Sequence, residues 1–349
     1  MKIGGFDINR ESEVFIIAEL SANHNGSLET ALETVRAAKR AGVNCIKLQT
    51  YTADTLTIDC DKDDFIIKSG SIWDGKNYYQ LYKEAYTPWE WHSEIMRVAK
   101  EEGLICFSSP FDKTSVDFLE TLNVPAYKIA SFEITDIPLI EYVAAKGKPV
   151  IISTGIAELE DIELALDACR RMGNNDIALL KCTSSYPAPI EEANMSMVQD
   201  LASRFGVISG LSDHTMGSTV PVVATCFGAK IIEKHFILDR SIGGPDASFS
   251  MDEQEFTEMV KAVREAEKAI GVVDYTLTEK QIKGRDFSRS LYVVEDMMEG
   301  DIITEKNIKS IRPGFGLHPK YFHEVLGKTV NKSIEKGSRL VFEDIENKC

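Results

Sequence analysis

Eight times between residues 14 and 235 a short apolar run of strand length ends in a polar cluster and gives way to an amphipathic stretch. The runs cover residues 14–19, 45–49, 104–109, 126–131, 149–153, 177–183, 207–213 and 230–235. They are rich in Ile, Val and Leu and apolar on both faces, the pattern of parallel strands covered by helices. The stretches between them carry helix signals. Ser27 precedes the stripe Leu28, Leu32, Val35 and Ala38, with Gly42 as the stop. Thr87-Pro88-Trp89-Glu90 combines a capping hydroxyl, a first-turn proline and a carboxylate three residues after the cap. Eight β-then-α units predict a closed (β/α)8 TIM barrel in preference to an open, doubly wound sheet.

Two segments break the pattern. The connection 51–86 is far longer than the others and carries Phe65, Trp73, Tyr78, Tyr79 and Tyr82. Connections above roughly 15 residues usually have a function or are disordered, and the aromatic side chains predict an ordered lid over the barrel mouth. After Gly271 comes a polar linker, 272–288, and then a small β-rich domain, 289–349, with a short apolar run at 290–294. Glu299-Gly300-Asp301 and Glu335-Lys336-Gly337 read as turns in it, and Arg312-Pro313-Gly314-Phe315-Gly316 as a rigid loop. The predicted division is therefore a barrel over 1–271, a linker, and a second domain over 289–349. A chain of 349 residues that is 44% hydrophobic has enough apolar material for two cores.

Charge and composition narrow the partners. A net charge of −16 argues against nonspecific nucleic-acid binding, which needs a basic surface. No apolar run has the length of a bilayer span, and the N-terminus lacks the basic and apolar segments of a signal peptide. The seven cysteines show no Cys-x-x-Cys spacing, and several fall in strand runs where a reduced thiol packs as a small hydrophobe. The expectation is a soluble, cytoplasmic protein without nucleic-acid or membrane partners.

In such a barrel the active site lies at the C-terminal ends of the strands, so residues far apart in sequence converge there. Ser212-Asp213-His214-Thr215 and Glu233-Lys234-His235-Phe236 put His214 and His235 on adjacent strands. Two imidazoles with open positions suit a divalent ion such as Mn, Fe, Co or Zn, although each histidine alone reads as structural. His24, in Asn23-His24-Asn25-Gly26, is either a third ligand or a loop residue. Lys47, Lys128, Lys181 and Lys234 interrupt apolar strands, where an unpaired ammonium is costly, so they call for an anion. Together with Ser108, Ser109, Ser131, Ser153 and Ser184 they describe a site for a phosphate and a carboxylate. Lys47 and Gln49 share one strand face. The competing chemistry is a Schiff-base lysine. Glu19 and Glu133 are either proton carriers, if burial raises their pKa, or partners of neighbouring lysines.

These residues carry a resemblance. Ala18-Glu19 with Asn23-His24-Asn25-Gly26, Lys47-Leu48-Gln49-Thr50-Tyr51, Phe107-Ser108-Ser109-Pro110-Phe111-Asp112, Tyr127-Lys128-Ile129-Ala130-Ser131, Ser153-Thr154-Gly155, the two histidine motifs and Gly244-Pro245-Asp246 resemble the sialic acid synthase family. The tail, through Arg312-Pro313-Gly314-Phe315-Gly316, resembles the antifreeze-like SAF domain of those enzymes. Glu19-Leu20-Ser21-Ala22-Asn23, Tyr51-Thr52-Ala53-Asp54-Thr55 and Thr87-Pro88-Trp89-Glu90-Trp91-His92 look closest to the branch that makes pseudaminic acid. Ser184 stands where the sialic acid branch commonly has asparagine.

The resemblance implies a transferase that condenses phosphoenolpyruvate with an amino sugar, 2,4-diacetamido-2,4,6-trideoxy-L-altropyranose in this branch. It implies that Lys47, Ser109, Lys128, Ser131, Ser153, Ser184 and Ser212 hold phosphoenolpyruvate, while Gln49, Tyr186 and Asp246 face the sugar. His214 and His235 would hold a divalent metal, Mn first and Mg or Co as alternatives, acting as a Lewis acid on the sugar aldehyde. Glu19 and Glu133 would handle protons. Arg312 would reach the sugar of a partner chain in a domain-swapped homodimer. The alternatives are an N-acetylneuraminate or legionaminate synthase and, from other classes, a Schiff-base aldolase or a noncatalytic sugar-binding protein.

Overall fold

All eight apolar runs form parallel strands, seven of them within one residue of the span that the hydrophobic pattern marks and β4 ending two residues early, where a 3-10 turn takes over at Ser131: β1 (Phe15–Glu19), β2 (Cys45–Thr50), β3 (Ile105–Pro110), β4 (Tyr127–Ile129), β5 (Val150–Ser153), β6 (Ile177–Cys182), β7 (Ile208–Asp213) and β8 (Ile231–His235). The structure is a computed structural model and describes residues 1–68, 70 and 72–346. Each strand pairs with the next, and β8 closes the ring on β1 from Ile231 opposite Phe15 to His235 opposite Glu19. Alternation along the strands divides two environments. Ile16, Ala18, Ile46 and Leu48 pack against Val35 and Ala38 of helix Leu28–Arg40, Ile95 of helix His92–Glu101 and Phe256 of helix Glu253–Ile270. Their neighbours Glu19 and Lys47 point the other way, into the barrel. An N-terminal hairpin, Lys2–Ile3 with Phe6–Asp7, buries Ile3 and Ile8 in one cluster with Phe15 and Ile231 at the strands' starting ends.

The local signals are mostly realised. Ser27 Oγ accepts from Thr30 N at 3.2 Å at the start of helix Leu28–Arg40, and Gly42 takes the left-handed φ of +86° that ends it. The capping box expected at Thr87–Glu90 does not form. A 3-10 turn, Trp89–Trp91, comes first, and the helix starts at His92. The turn is held from outside: Trp89 Nε1 donates to the Tyr51 carbonyl at 3.1 Å, and the buried His92 ring bonds Thr50 Oγ1 at 2.8 Å and the Pro88 carbonyl at 3.3 Å. Tertiary hydrogen bonds thus override a local cap. The described residues of the long connection include the helices Ala53–Leu56 and Tyr78–Ala85. Among the described residues no helix is long and apolar enough to cross a membrane.

The chain divides into two compact units, Met1–Gly271 and Val272–Cys349. In the second, β9 (Ser290–Val293) pairs antiparallel with β10 (Ile308–Ile311) over a core that includes Leu291, Ile308, Val325, Val330 and Leu340. The segment expected to be a plain linker contains a helix, Glu279–Gly284, capped by Thr278. The loop carrying the exposed Arg312 is pinned by Ser290, whose Oγ donates to the Pro313 carbonyl at 2.6 Å and accepts from Gly316 N at 2.8 Å. A Cβ on Gly314 would lie 2.4 Å from Ser288 Oγ, and one on Gly316 would lie 2.4 Å from the Leu291 carbonyl.

Closure of the barrel demands one equally close approach. A Cβ on Gly210 of β7 would lie 2.3 Å from the Ile231 carbonyl of β8 and 2.7 Å from Leu180. Gly210→Ala is expected to lower the unfolding free energy by about 1–3 kcal/mol, the usual cost of overpacking. Urea denaturation measures it, and an unchanged midpoint would show that the seam has slack.

Candidate active site

The deepest polar layer is a cluster of four charges inside the ring. Lys128 on β4 donates to Glu233 Oε1 on β8 at 3.3 Å, a contact between opposite sides of the barrel that is reached only through its interior. Lys47 on β2 is ion-paired with Glu19 on β1, lies 3.7 Å from Glu233 Oε1, and donates to Ser109 Oγ on β3 at 3.1 Å. Ser212 on β7 donates to the same Glu233 oxygen at 3.1 Å. All four charged groups are at most 5% exposed. Burial lifts the Glu19 carboxyl to about 6 despite the opposing pull of Lys47. Glu233 moves the other way: burial pushes it up, but Lys128 and Lys47 together hold it below the usual carboxylate range.

One inward-facing layer further along the strands, a cavity of about 640 Å³ opens at their C-terminal ends. Gln49 follows Lys47 into its wall, Ser131 follows Lys128, and His235 follows Glu233. Ser184 Oγ donates to Ser131 Oγ at 2.8 Å, and Ile156 N donates to Ser131 Oγ at 3.2 Å. A Cβ on Gly155 would lie 2.2 Å from Ser184 Oγ and 2.6 Å from Ser131 Oγ, so a side chain there would push this hydroxyl pair aside. Ser153 Oγ, Glu133 Oε2 and Glu233 Oε2 are buried without hydrogen-bond partners. Unpaired polar atoms at such density are costly unless a ligand meets them. Asp246 accepts from Ser21 Oγ at 2.5 Å and Ala22 N at 3.4 Å, which fixes the loop after β8 against the loop after β1. The Tyr186 ring packs at a tilt 4.4 Å from the His214 ring and 5.4 Å from that of Trp73 in the long connection.

The histidine pair fits a metal ion. His214 donates Nδ1–H to the Thr183 carbonyl at 2.9 Å, which leaves Nε2 bare. His235 Nδ1 is buried without a hydrogen bond, 3.8 Å from Asp246 Oδ2, and burial above all holds the imidazole well below its ordinary range. The ring centroids are 5.3 Å apart. Among the described residues no group of three or more His, Cys, Asp or Glu side chains is suited to hold a metal, so the remaining positions of an ion on this pair would fall to water and substrate.

The sequence reading is corrected at Lys234, Lys181, Ser108 and Glu233, and its open choice at His24 falls to the loop residue. Lys234 and Lys181 do not join the anion site. Lys234 faces out of the barrel and pairs with Asp213 at 2.5 Å and with the Thr215 carbonyl, while Lys181 donates to the Cys182 carbonyl at 2.6 Å. Ser108 also faces outward, 2.6 Å from Thr50 Oγ1, and Ser109 alone of the two meets Lys47. His24 lies edge-on to Trp91 with its Nδ1 accepting from Gly26 N, and is not among the cavity's lining residues. Glu233, read only as part of a histidine motif, is the centre of the deep cluster; its signal was its place two residues before His235 on the same strand face. Arg312 belongs to the second unit.

Residues 34–275 match the NeuB family and residues 288–346 match the SAF domain. The chain is 51% identical over 340 residues to a pseudaminic acid synthase of Campylobacter jejuni subsp. jejuni (strain 81-176), covering 97% of this chain and 98% of that one. It is 47% identical over 332 residues to a pseudaminic acid synthase of Helicobacter pylori, covering 95% and 97%. In three dimensions it matches an N-acetylneuraminic acid synthetase of Leptospira borgpetersenii with a TM-score of 0.73 at 30% identity, over 81% of this chain and 94% of that one.

Glu133 supplies a pH test of this geometry. Burial lifts its carboxyl to about 7, against the opposing pull of Lys128, from an ordinary value of 4.5. The folded chain therefore binds this proton more tightly than the unfolded chain between those values. The stabilisation is full below pH 4.5 and is lost as pH rises to 7. Across that window the unfolding free energy is expected to fall by up to about 3 kcal/mol more in the wild type than in Glu133→Gln. Parallel urea titrations of the two proteins would refute the assignment if their slopes matched.

Proposed function

The chain belongs to the NeuB family, and on that premise we propose that it is a pseudaminic acid synthase. It condenses phosphoenolpyruvate with 2,4-diacetamido-2,4,6-trideoxy-L-altropyranose and releases phosphate by C–O cleavage. The observation that carries this reading is the identity of 51% and 47% to two pseudaminic acid synthases along almost the whole chain, against 30% to an N-acetylneuraminic acid synthetase.

The residues supply a physical account. Lys47 and Lys128 offer the cationic charge for phosphoenolpyruvate, with Ser109 and Ser212 beside them and Ser131, Ser153 and Ser184 at the adjoining corner. Ser153 has a buried hydroxyl with no other partner. Both ammoniums already face carboxylates, so the incoming anion rearranges an existing cluster and meets groups held in place before it arrives. Gln49, Tyr186 and Asp246 present the sugar's aldehyde carbon to C3 of phosphoenolpyruvate. A divalent ion held by His214 and His235, manganese first, would supply Lewis acidity toward the aldehyde oxygen. The new hydroxyl at the aldehyde carbon takes up a proton, and the water that adds at C2 gives one up. Glu19 and Glu133, at about 6 and about 7, are poised to carry them. The same reading keeps Arg312 for the sugar, reached through a homodimer as the resemblance implies.

Inorganic phosphate is expected to appear only when phosphoenolpyruvate and the diacetamido sugar are both present, to stop on chelation and to return with Mn²⁺. A Schiff-base aldolase would instead survive chelation and be trapped by borohydride. A preference for N-acetylmannosamine over the diacetamido sugar would overturn the substrate assignment. Glu19→Gln is expected to lower kcat by about 10²–10⁴-fold, the usual worth of a positioned proton carrier. Arg312→Ala should raise the sugar KM about tenfold to a hundredfold, the loss of one charge-assisted hydrogen bond, while sparing the KM for phosphoenolpyruvate; a sugar KM that did not move would remove Arg312 from the site.

A further inference from the structure

Among the described residues, four other than glycine take a left-handed backbone, and three of them, Asn25, Asn123 and Asn194, are asparagines. Asparagine visits that region readily, because its short polar side chain bonds locally. The fourth is Ser21, at a φ of +46° in the loop that follows β1. Backbone strain of this kind persists only where the surroundings impose it, and it gathers at functional sites. A glycine would take the same conformation freely. What serine adds is one hydroxyl. Ser21 is buried in the cavity wall, and its Oγ donates to Asp246 Oδ2 at 2.5 Å.

The loop after β8 has other fastenings as well. Asn23 Nδ2 donates to the Phe236 carbonyl at 2.9 Å and to Ser250 Oγ at 2.8 Å, and Ser250 Oγ donates to the Asp246 carbonyl at 2.7 Å. With the Asp246 backbone held in this way, the Ser21 hydroxyl is left to set the turn of the carboxylate. Its effect is one-sided. Oδ2 faces Ser21 Oγ, Ala22 N at 3.4 Å and, beyond hydrogen-bond reach, His235 Nδ1 at 3.8 Å. Among the described residues Oδ1 accepts no hydrogen bond, and Asp246 lines the cavity. Without the hydroxyl, the carboxylate could swing toward His235 Nδ1, which is buried and has no hydrogen bond of its own.

We propose that Ser21 is a positioning residue for the sugar: it clamps Oδ2 of Asp246 so that Oδ1 is presented to a hydroxyl or amide N–H of the substrate, and the left-handed serine is kept for that hydroxyl. This inference rests on the functional reading above and deepens it.

The test measures phosphate release by the full chain with Mn²⁺, phosphoenolpyruvate and the diacetamido sugar, for the wild type, Ser21→Gly and Ser21→Ala. Ser21→Gly suits the backbone and is expected to lose about tenfold to a hundredfold in kcat/KM for the sugar, the worth of a hydrogen bond to a charged group, with the KM for phosphoenolpyruvate unchanged. Ser21→Ala keeps the Cβ and should share that loss. The thermal midpoint of the glycine variant should nevertheless lie above that of the alanine variant, since glycine alone escapes the strain. Activity and stability would then part company, as they do not for a residue that only supports the fold. A Ser21→Gly protein with the wild-type kcat/KM for the sugar overturns the inference. So does a loss in Ser21→Ala that Ser21→Gly restores, which would trace the effect to the backbone, and so do equal midpoints, which would remove the strain. Failure of the wild type to release phosphate with any sugar takes down the functional reading itself, and this inference with it.

Discussion

Two ammoniums and two carboxylates, with the hydroxyls of Ser109 and Ser212, share the buried interior of the barrel, and the placement of everything above them depends on how they satisfy one another. Any one of them alone would be untenable out of water, since removing one partner of a buried pair typically costs about 3–5 kcal/mol. Spread over β1, β2, β4 and β8 they tie both sides of the ring to a common centre. The cluster is neutral as a whole, yet it is not saturated, because Glu233 Oε2 has no hydrogen-bond partner. Such a centre holds its geometry without a ligand and still has something to gain from one. That combination is what preorganised electrostatic catalysis requires.

The layer above it inherits its positions by simple alternation. Gln49 and His235 reach the cavity because Lys47 and Glu233 face inward two residues earlier, while Ser131 is turned in by the 3-10 helix Ser131–Glu133 that follows β4. Lids and loops then add what strands cannot. The loop after β8 brings Asp246 to Ser21, and the long connection lays Trp73 against Tyr186. The barrel end supplies reactive and hydrogen-bonding groups on rigid elements, and the connection adds the rings of Tyr51, Trp73, Tyr78 and Tyr82 beside Leu56, Ile67 and Leu81. The two kinds of wall can therefore change independently.

Much of this was legible in the chain itself. Runs apolar on both faces, ended by polar clusters, located every strand to within two residues, and the histidines at two adjacent strand ends do lie side by side. What the pattern could not supply was the direction of a side chain on a strand whose two faces are both dry. Lys128 and Lys234 look alike in sequence, each a lysine amid Ile and Ala or Glu, yet one crosses the interior and the other turns out to Asp213. Ser108 and Ser109 divide in the same way. Glu233 escaped notice because the histidine beside it gave the stronger signal. The cap at Thr87 failed for a different reason: His92 and Trp89 find better partners on Thr50 and Tyr51, across space, than the local sequence could offer.

The outward pair Lys234–Asp213 has a consequence for how the ring is assembled. The two residues are register partners across the β7–β8 ladder, and the pair is almost completely shielded from water. In a two-faced apolar strand a slip of one residue costs little in hydrophobic burial, so burial alone specifies the alignment weakly. Here such a slip would swing Lys234 into the interior, turn His235 out toward the helices and leave Asp213 without its cation. The last strand of the barrel to be synthesised thus carries its own alignment key: the pair favours the one registration of β8 that brings His214 and His235 to the same mouth.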